Sequence, residues 1–257
     1  MPRVSLWREV IVFLSAVVAG GINSIAGGGT LITFPTLLWI GRDPIVANAT
    51  NTVALWPGSL SGAYGFRREL ASARRWLALL ILPSLAGGAI GAWLLLRTSS
   101  STFSRLVPFL ILGATLLLAF QELITRRIRT LAQGDRPTAA WLTFAITFQF
   151  GVGIYGGYFG AGIGILMLAA LGLIGLTDLH QMNGVKNVLA LCINGIAAIW
   201  FAISGKVMWT DAALMAVASI LGGYLGARAA QRLGRRFVRA FVVTIGFVLA
   251  IAFFVKR

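Results

Sequence analysis

The chain has 257 residues, of which 58% are hydrophobic and only 11% charged, against about 25% charged in soluble domains. A mean hydropathy of +0.87 excludes a disordered chain and a water-soluble core. The excess of 22 Lys and Arg over 7 acids would suggest nucleic acid on a soluble protein. Here it falls in short stretches between apolar runs, where lipid headgroups and cytoplasmic retention account for it, so no nucleic-acid partner is expected. The single Cys192 excludes an intrachain disulfide and a Cys-rich metal site.

The first uncharged run covers residues 10–41. Arg3 and Arg8 precede it as in a signal peptide, but it continues without a cleavage-like site and reads as mature protein. Its 32 residues would make a helix of about 48 Å, too long for one crossing of a ~30 Å hydrocarbon core. Gly20-Gly21 and Ala26-Gly27-Gly28-Gly29-Thr30 offer break points, because glycine costs ~1 kcal/mol inside a helix. The expectation is two half-helices folded back as a hairpin. Runs 44–66, 76–96 and 106–121 follow, each consistent with one span.

A basic stretch, 126–136, ending in Gly134-Asp-Arg-Pro137, separates two halves: a first repeat over 1–125, a linker over 126–137, and a second repeat over 138–257. The second half opens on a 41-residue run, 137–177, broken at Gly151-Val-Gly153, Gly156-Gly157 and Gly160-Ala-Gly162-Ile-Gly164. It continues through 187–205, 212–227 and 240–255. The halves match by sequence. Gly27-Gly28-Gly29 meets Gly160-Ala161-Gly162 at a shift of 133, and Gly87-Gly88-Ala-Ile-Gly91-Ala92 meets Gly222-Gly223-Tyr-Leu-Gly226-Ala227 at 135. Between them, Asn51-Thr52-Val53 is set on Val185-Lys186-Asn187 at 134.

If each long run enters and leaves on one face, the basic loops 67–75, 126–136 and 228–239 fall together with thirteen positive charges, leaving eight opposite. The positive-inside rule favours that drawing, with both termini outside. Each half then makes an odd number of crossings, so the fold class is an all-α polytopic membrane protein of two inverted repeats. Broken helices meeting at mid-membrane in such repeats build many secondary transporters.

Several motifs have competing readings. Gly151-Val-Gly153-Ile-Tyr-Gly156 with Asp178 beyond copies a dinucleotide fingerprint but lacks the strand and βαβ unit it needs. Gly87-x-x-x-Gly91 and Gly222-x-x-x-Gly226 allow close helix approach, inside the bundle or, alternatively, across a homodimer. The glycine tips, Gly27, Gly28 and Gly29 in one half and Gly160 and Gly162 in the other, would present freed N–H groups and positive helix ends to an anion. Alternatively they only let helices cross closely.

Lys186 stands within a span and is a functional candidate by default; the alternative is snorkelling to the interface past Asp178 and His180. Asn183 and Asn187 flank it, and Asn48, Thr50, Asn51 and Thr52 occupy the matching turn of the first half. Such neutral groups suit oxyanion acceptors or helix caps equally. No carboxylate falls mid-span, which weakens a proton relay. Neither a cofactor nor a metal is expected.

At these residues the chain resembles the sulfite exporter TauE/SafE family of membrane anion transporters. The resemblance rests on Gly21-Ile-Asn-Ser-Ile-Ala-Gly-Gly-Gly-Thr-Leu-Ile-Thr-Phe-Pro35, Ala49-Thr-Asn-Thr52 and Pro57-Gly-Ser59 in the first half. In the second it rests on Gly153-Ile-Tyr-Gly-Gly-Tyr-Phe-Gly-Ala-Gly-Ile-Gly164, Lys186 and Gly205-Lys-Val-Met-Trp209. It implies movement of sulfite, sulfonates and related small anions across the bacterial inner membrane. Relatives with Asp at Asn23 and at Gly156, and Lys at Thr52, imply that this chain has lost both membrane carboxylates and one lysine.

The expected function is therefore a secondary transporter, an exporter, of a small organic or sulfur oxyanion. Its site would be Asn23, the glycine tips, Thr50, Asn51, Thr52, Asn183, Lys186 and Asn187, and its partners the anion and the bilayer. A passive anion channel is the alternative. An intramembrane enzyme would need clustered catalytic groups, which the sequence does not offer.

Overall fold

The computed structural model describes residues 6–25, 28–65, 70, 73–132, 139–176, 178–233 and 235–255. These residues form α-helices and contain no strand. In the first half they are α1 (Leu6–Ile25), α2 (Thr30–Trp39), α3 (Pro44–Gly65), α4 (Arg74–Arg97) and α5 (Ser100–Ala119). α6 (Gln121–Ala132) follows, and then α7 (Ala139–Tyr158), α8 (Ile163–Leu173), α9 (Leu179–Ile203), α10 (Trp209–Leu233) and α11 (Arg235–Val255). Five helices, α1, α4, α5, α7 and α9, contain stretches long and apolar enough to cross a membrane. Large side chains such as Leu82, Ile203 and Val255 face outward, as they do when lipid rather than water surrounds a bundle. The chain is an all-helical, multi-pass membrane protein.

Each half opens with a hairpin. Gly29 packs on Ala19 and Asn23 of α1, so α2 runs back along α1 until Trp39 meets Trp7 edge-on with ring centroids 6.0 Å apart. The hairpins differ from two half-helices. α1 and α7 have 20 residues each, a span-length ~30 Å at 1.5 Å per residue, whereas α2 and α8 have 10 and 11. Only the second arm is half-length.

The reason lies in how the glycines of the first arms, read in sequence as breakers, meet the glycines and backbone of α4 and α10. A Cβ on Gly153 would stand 3.1 Å from Gly87 Cα, one on Gly157 2.9 Å from the Gly88 carbonyl carbon, and one on Gly222 2.6 Å from the Val17 carbonyl carbon. These glycines, with Gly20 against Ser219, stay helical and bring α4 onto α7 and α1 onto α10, backbone to backbone. Gly87, Gly91 and Gly222 are thus taken up inside the bundle rather than offered to a second copy. The dinucleotide-like Gly151–Gly156 segment is likewise mid-helix in α7.

Helix pairing is reciprocal. α1 packs on α10 and α4 on α7; α3 packs on α10 and α9 on α4; α3 meets α9, and α5 meets α11. Helix starts give the register: α7 and α8 begin 133 residues after α1 and α2, while α9, α10 and α11 begin 135 after α3, α4 and α5. The shift of 134 set on Lys186 is therefore one residue short. At 135, Asn48 falls on Asn183, Asn51 on Lys186 and Thr52 on Asn187. The basic stretch after 125 is helical as far as Ala132, as the end of α6.

Candidate functional site at the hairpin tips

The second tip is built by two left-handed glycines. Gly160 (φ +81°) and Gly162 (φ +76°) turn the chain from α7 into α8, a conformation without penalty only for glycine. No side chain caps α8. Ile163 N donates weakly to Gly160 O (3.4 Å) and Ile165 N to Gly162 O (3.1 Å). The N–H groups of Ala161, Gly162 and Gly164 have no acceptor among the described residues. The Tyr155 hydroxyl donates to Ala161 O (2.7 Å) and pins the loop. A short helix thus presents its positive end and free donors at one place.

Lys186 is brought to that place by α9. It lies seven residues into the helix, about 10 Å along its axis. Its stem crosses the first turn of α8 at Gly164, where an added Cβ would lie 3.3 Å from Lys186 Cδ; a larger residue there would push the lysine aside. Its Nζ donates to Asn183 Oδ1 (3.0 Å). Asn187 is the next residue on the helix and is half-buried.

The first tip has similar backbone and different chemistry. Gly28 is left-handed (φ +95°), while Gly27 lies outside the described residues. The Gly29 N–H already donates to Asn23 Oδ1 (2.8 Å), and Leu31 N donates to Gly28 O (2.9 Å). Asn51, the counterpart of Lys186, accepts from the Thr33 hydroxyl (2.5 Å) and donates to Thr30 Oγ1 (3.4 Å). Both partners sit in the first turns of α2. Where the second half carries a lysine stem against a helix start with open amides, the first carries a carboxamide bonded to the threonines of its own short helix.

Both tips pack on one turn of α5. Gly28 faces Leu118, and Gly162 faces Ala114 and Leu117. Phe34 of α2 and Phe159 of the second tip meet edge-on with centroids 5.3 Å apart. Two expected site residues stand elsewhere. The buried Thr50 hydroxyl accepts from Met208 N (3.0 Å), ahead of α10, and the Thr52 hydroxyl donates to Asn48 O one turn back (2.9 Å). Asn48, placed in sequence only as part of the matching turn, reaches across the two halves. Its Nδ2 donates to Tyr158 O (3.0 Å) at the second tip, and its Oδ1 is buried without a partner among the described residues.

Charges away from the tips serve the frame. Arg42 makes a two-pronged bond to Asp211 (2.7 and 3.1 Å), tying the α2–α3 turn to α10. Asp43 caps α3 through Ile45 N and Val46 N. Among the described residues no cluster of His, Cys, Asp and Glu could hold a metal. An open groove of about 400 Å³ between α5 and α8 is lined by Tyr155, Leu166 and other, mostly apolar, residues.

Comparison with known proteins agrees with this architecture. The model of the family described as "Sulfite exporter TauE/SafE" matches residues 12–253. A "Probable membrane transporter protein" of Haemophilus influenzae is 32% identical, the match covering 93% of this chain and 91% of that one. "Probable membrane transporter protein YfcA" of Escherichia coli K12 is 29% identical over 93% of this chain and 87% of its own. "Probable membrane transporter protein ORF9" of a Sinorhizobium species is 29% identical over 93% and 89%. No solved structure matches.

Proposed function

The chain belongs to the sulfite exporter TauE/SafE family and is a membrane transporter rather than an enzyme; from that premise we propose that it exports a small organic or sulfur oxyanion, such as sulfite or a sulfonate. The open N–H groups at Gly162 and Gly164, with the Lys186 stem packed against Gly164, are the observation that carries this reading. Backbone donors at a helix start bind oxyanion oxygens, and one ammonium supplies the charge without a titrating carboxylate.

In this proposal Gly160, Gly162, Asn183, Lys186 and Asn187 form the binding wall, and Asn23, Gly28, Gly29 and Asn51 the facing wall. Thr50 and Thr52 are left out because their hydroxyls are bonded to backbone. The reciprocal helix pairing supports two inverted repeats whose rocking gives alternating access. The membrane is the bacterial inner membrane, with both termini outside.

Counterflow into proteoliposomes tests this. Labelled sulfite or a sulfonate should enter vesicles preloaded with the unlabelled anion, saturably, and Lys186→Ala should abolish entry at normal expression. Unsaturable conductance would replace the carrier with a channel, and near-normal counterflow in Lys186→Ala would remove the site.

A further inference from the structure

The carboxyl end of α7 has oxygen atoms in excess. Phe159 N and Gly160 N both donate to Tyr155 O (2.9 and 3.2 Å), because the left-handed Gly160 turns the chain early. The carbonyls of Gly156 and Gly157 consequently receive no backbone donor among the described residues. Tyr158 O accepts from Asn48 Nδ2. The other end of that carboxamide, Asn48 Oδ1, is buried with no partner among the described residues, and Asn48 itself is 1% exposed. On the α9 side, Asn194 Oδ1 lies 3.7 Å and Gly156 O 3.0 Å from the point where a Gly160 Cβ would stand.

These are neutral oxygens gathered at the negative end of a 20-residue helix, which favours a cation. The donors offer no group that takes up a proton in the ordinary pH range. Calcium and magnesium bind through carboxylates, and none is present here. Freed backbone carbonyls and the carboxyl ends of helices coordinate sodium in broken-helix transporters, and a side-chain amide oxygen is a neutral donor of the same kind.

We infer that the carboxyl end of α7 binds a sodium ion through Asn48 Oδ1 and the carbonyl oxygens of Gly156 and Gly157, with Asn194 beside them. Residues 159–161 separate this end from the amides of Gly162 and Gly164 in the proposed anion site. Cation and anion would then stand on either side of one short loop, with Asn48 of the first repeat fastened to it. The ion's role in coupling rests on the proposed anion transport; its binding does not.

Thermal unfolding of the detergent-purified chain, in NaCl and in choline chloride at equal ionic strength without organic anion, tests it. Sodium should raise Tm saturably by about 2–4 °C or more, and Asn48→Ala should lose that rise. Should Asn48→Ala not fold, the isosteric Asn48→Asp, which adds a charge, should enlarge the sodium response. Lys186→Ala should keep the sodium rise while losing any rise caused by sulfite or a sulfonate. Equal Tm in the two salts, or a full sodium response in Asn48→Ala, would overturn the inference whatever the anions do. A sodium rise in a protein indifferent to every anion would uphold it and count against the anion site alone.

Discussion

Replacing Gly157 by alanine should separate two helices that touch through their backbones. The new Cβ would stand 2.9 Å from the Gly88 carbonyl carbon and 3.0 Å from Ala92 N, with Gly88 O nearer still. Ordinary contacts begin near 3.5 Å, so α4 and α7 must part by about 1 Å or more along their crossing. Overpacking of this kind costs ~1–3 kcal/mol. Gly151 lies on the same helix, exposed, with open space where its Cβ would go. Alanine there keeps only the helix-propensity gain of up to ~1 kcal/mol. The two variants should therefore differ by about 2 kcal/mol or more, roughly 4–8 °C in Tm for a chain of this size. Detergent-solubilised protein followed by intrinsic tryptophan fluorescence on heating would read this. Equal melting of Gly157→Ala and Gly151→Ala would refute the backbone contact.

Three further outcomes follow from the same geometry. Thr50→Val orphans the Met208 N–H and should cost about 1–3 kcal/mol in thermal unfolding, while leaving anion affinity unchanged. Asp211→Asn breaks a two-pronged ion pair with Arg42 whose side chains are 11% and 26% exposed; a loss of about 1–3 kcal/mol should appear in Tm and diminish at high salt. Asn23→Ala frees the Gly29 N–H and should lower stability by about 1 kcal/mol, the ordinary worth of a cap, measured by the same melting assay.

The hairpins, their turning points and the place of Lys186 inside a span were legible in the sequence. Clustered glycines and a lone charge in an apolar run each have few physical explanations in a membrane. The lengths of the hairpin arms were not legible. Gly20 and Gly153 look like breakers until Ser219 and Gly87 are seen against them. Thr50 and Thr52 looked like ligands because neutral hydrogen-bonding groups in the turn that matches Lys186 suit an oxyanion's acceptors. Which carbonyl or N–H satisfies it depends on rotamer and on the neighbouring chain. The register error had a local cause. Two extra residues separate the starts of α8 and α9 relative to the first half, one in the helix and one in the turn after it, beside the very turn being matched. The role of Asn48 had one signal, its alignment on Asn183, visible only once that register was right. The Arg42–Asp211 pair spans 169 residues and had no signal at all.

The most direct test of the anion site is binding of sulfite, sulfoacetate, taurine, sulfate, thiosulfate and carboxylates to purified protein, followed by thermal shift in the wild type and Lys186→Ala. Removing a charged hydrogen-bonding partner is worth about 1.5–3 kcal/mol, so affinity should fall roughly 10- to 150-fold. Stabilisation by one class of anion, lost in Lys186→Ala, is the expected result. Stabilisation undiminished in Lys186→Ala, or a flat response of the wild type to every anion, would contradict an anion site at the second tip.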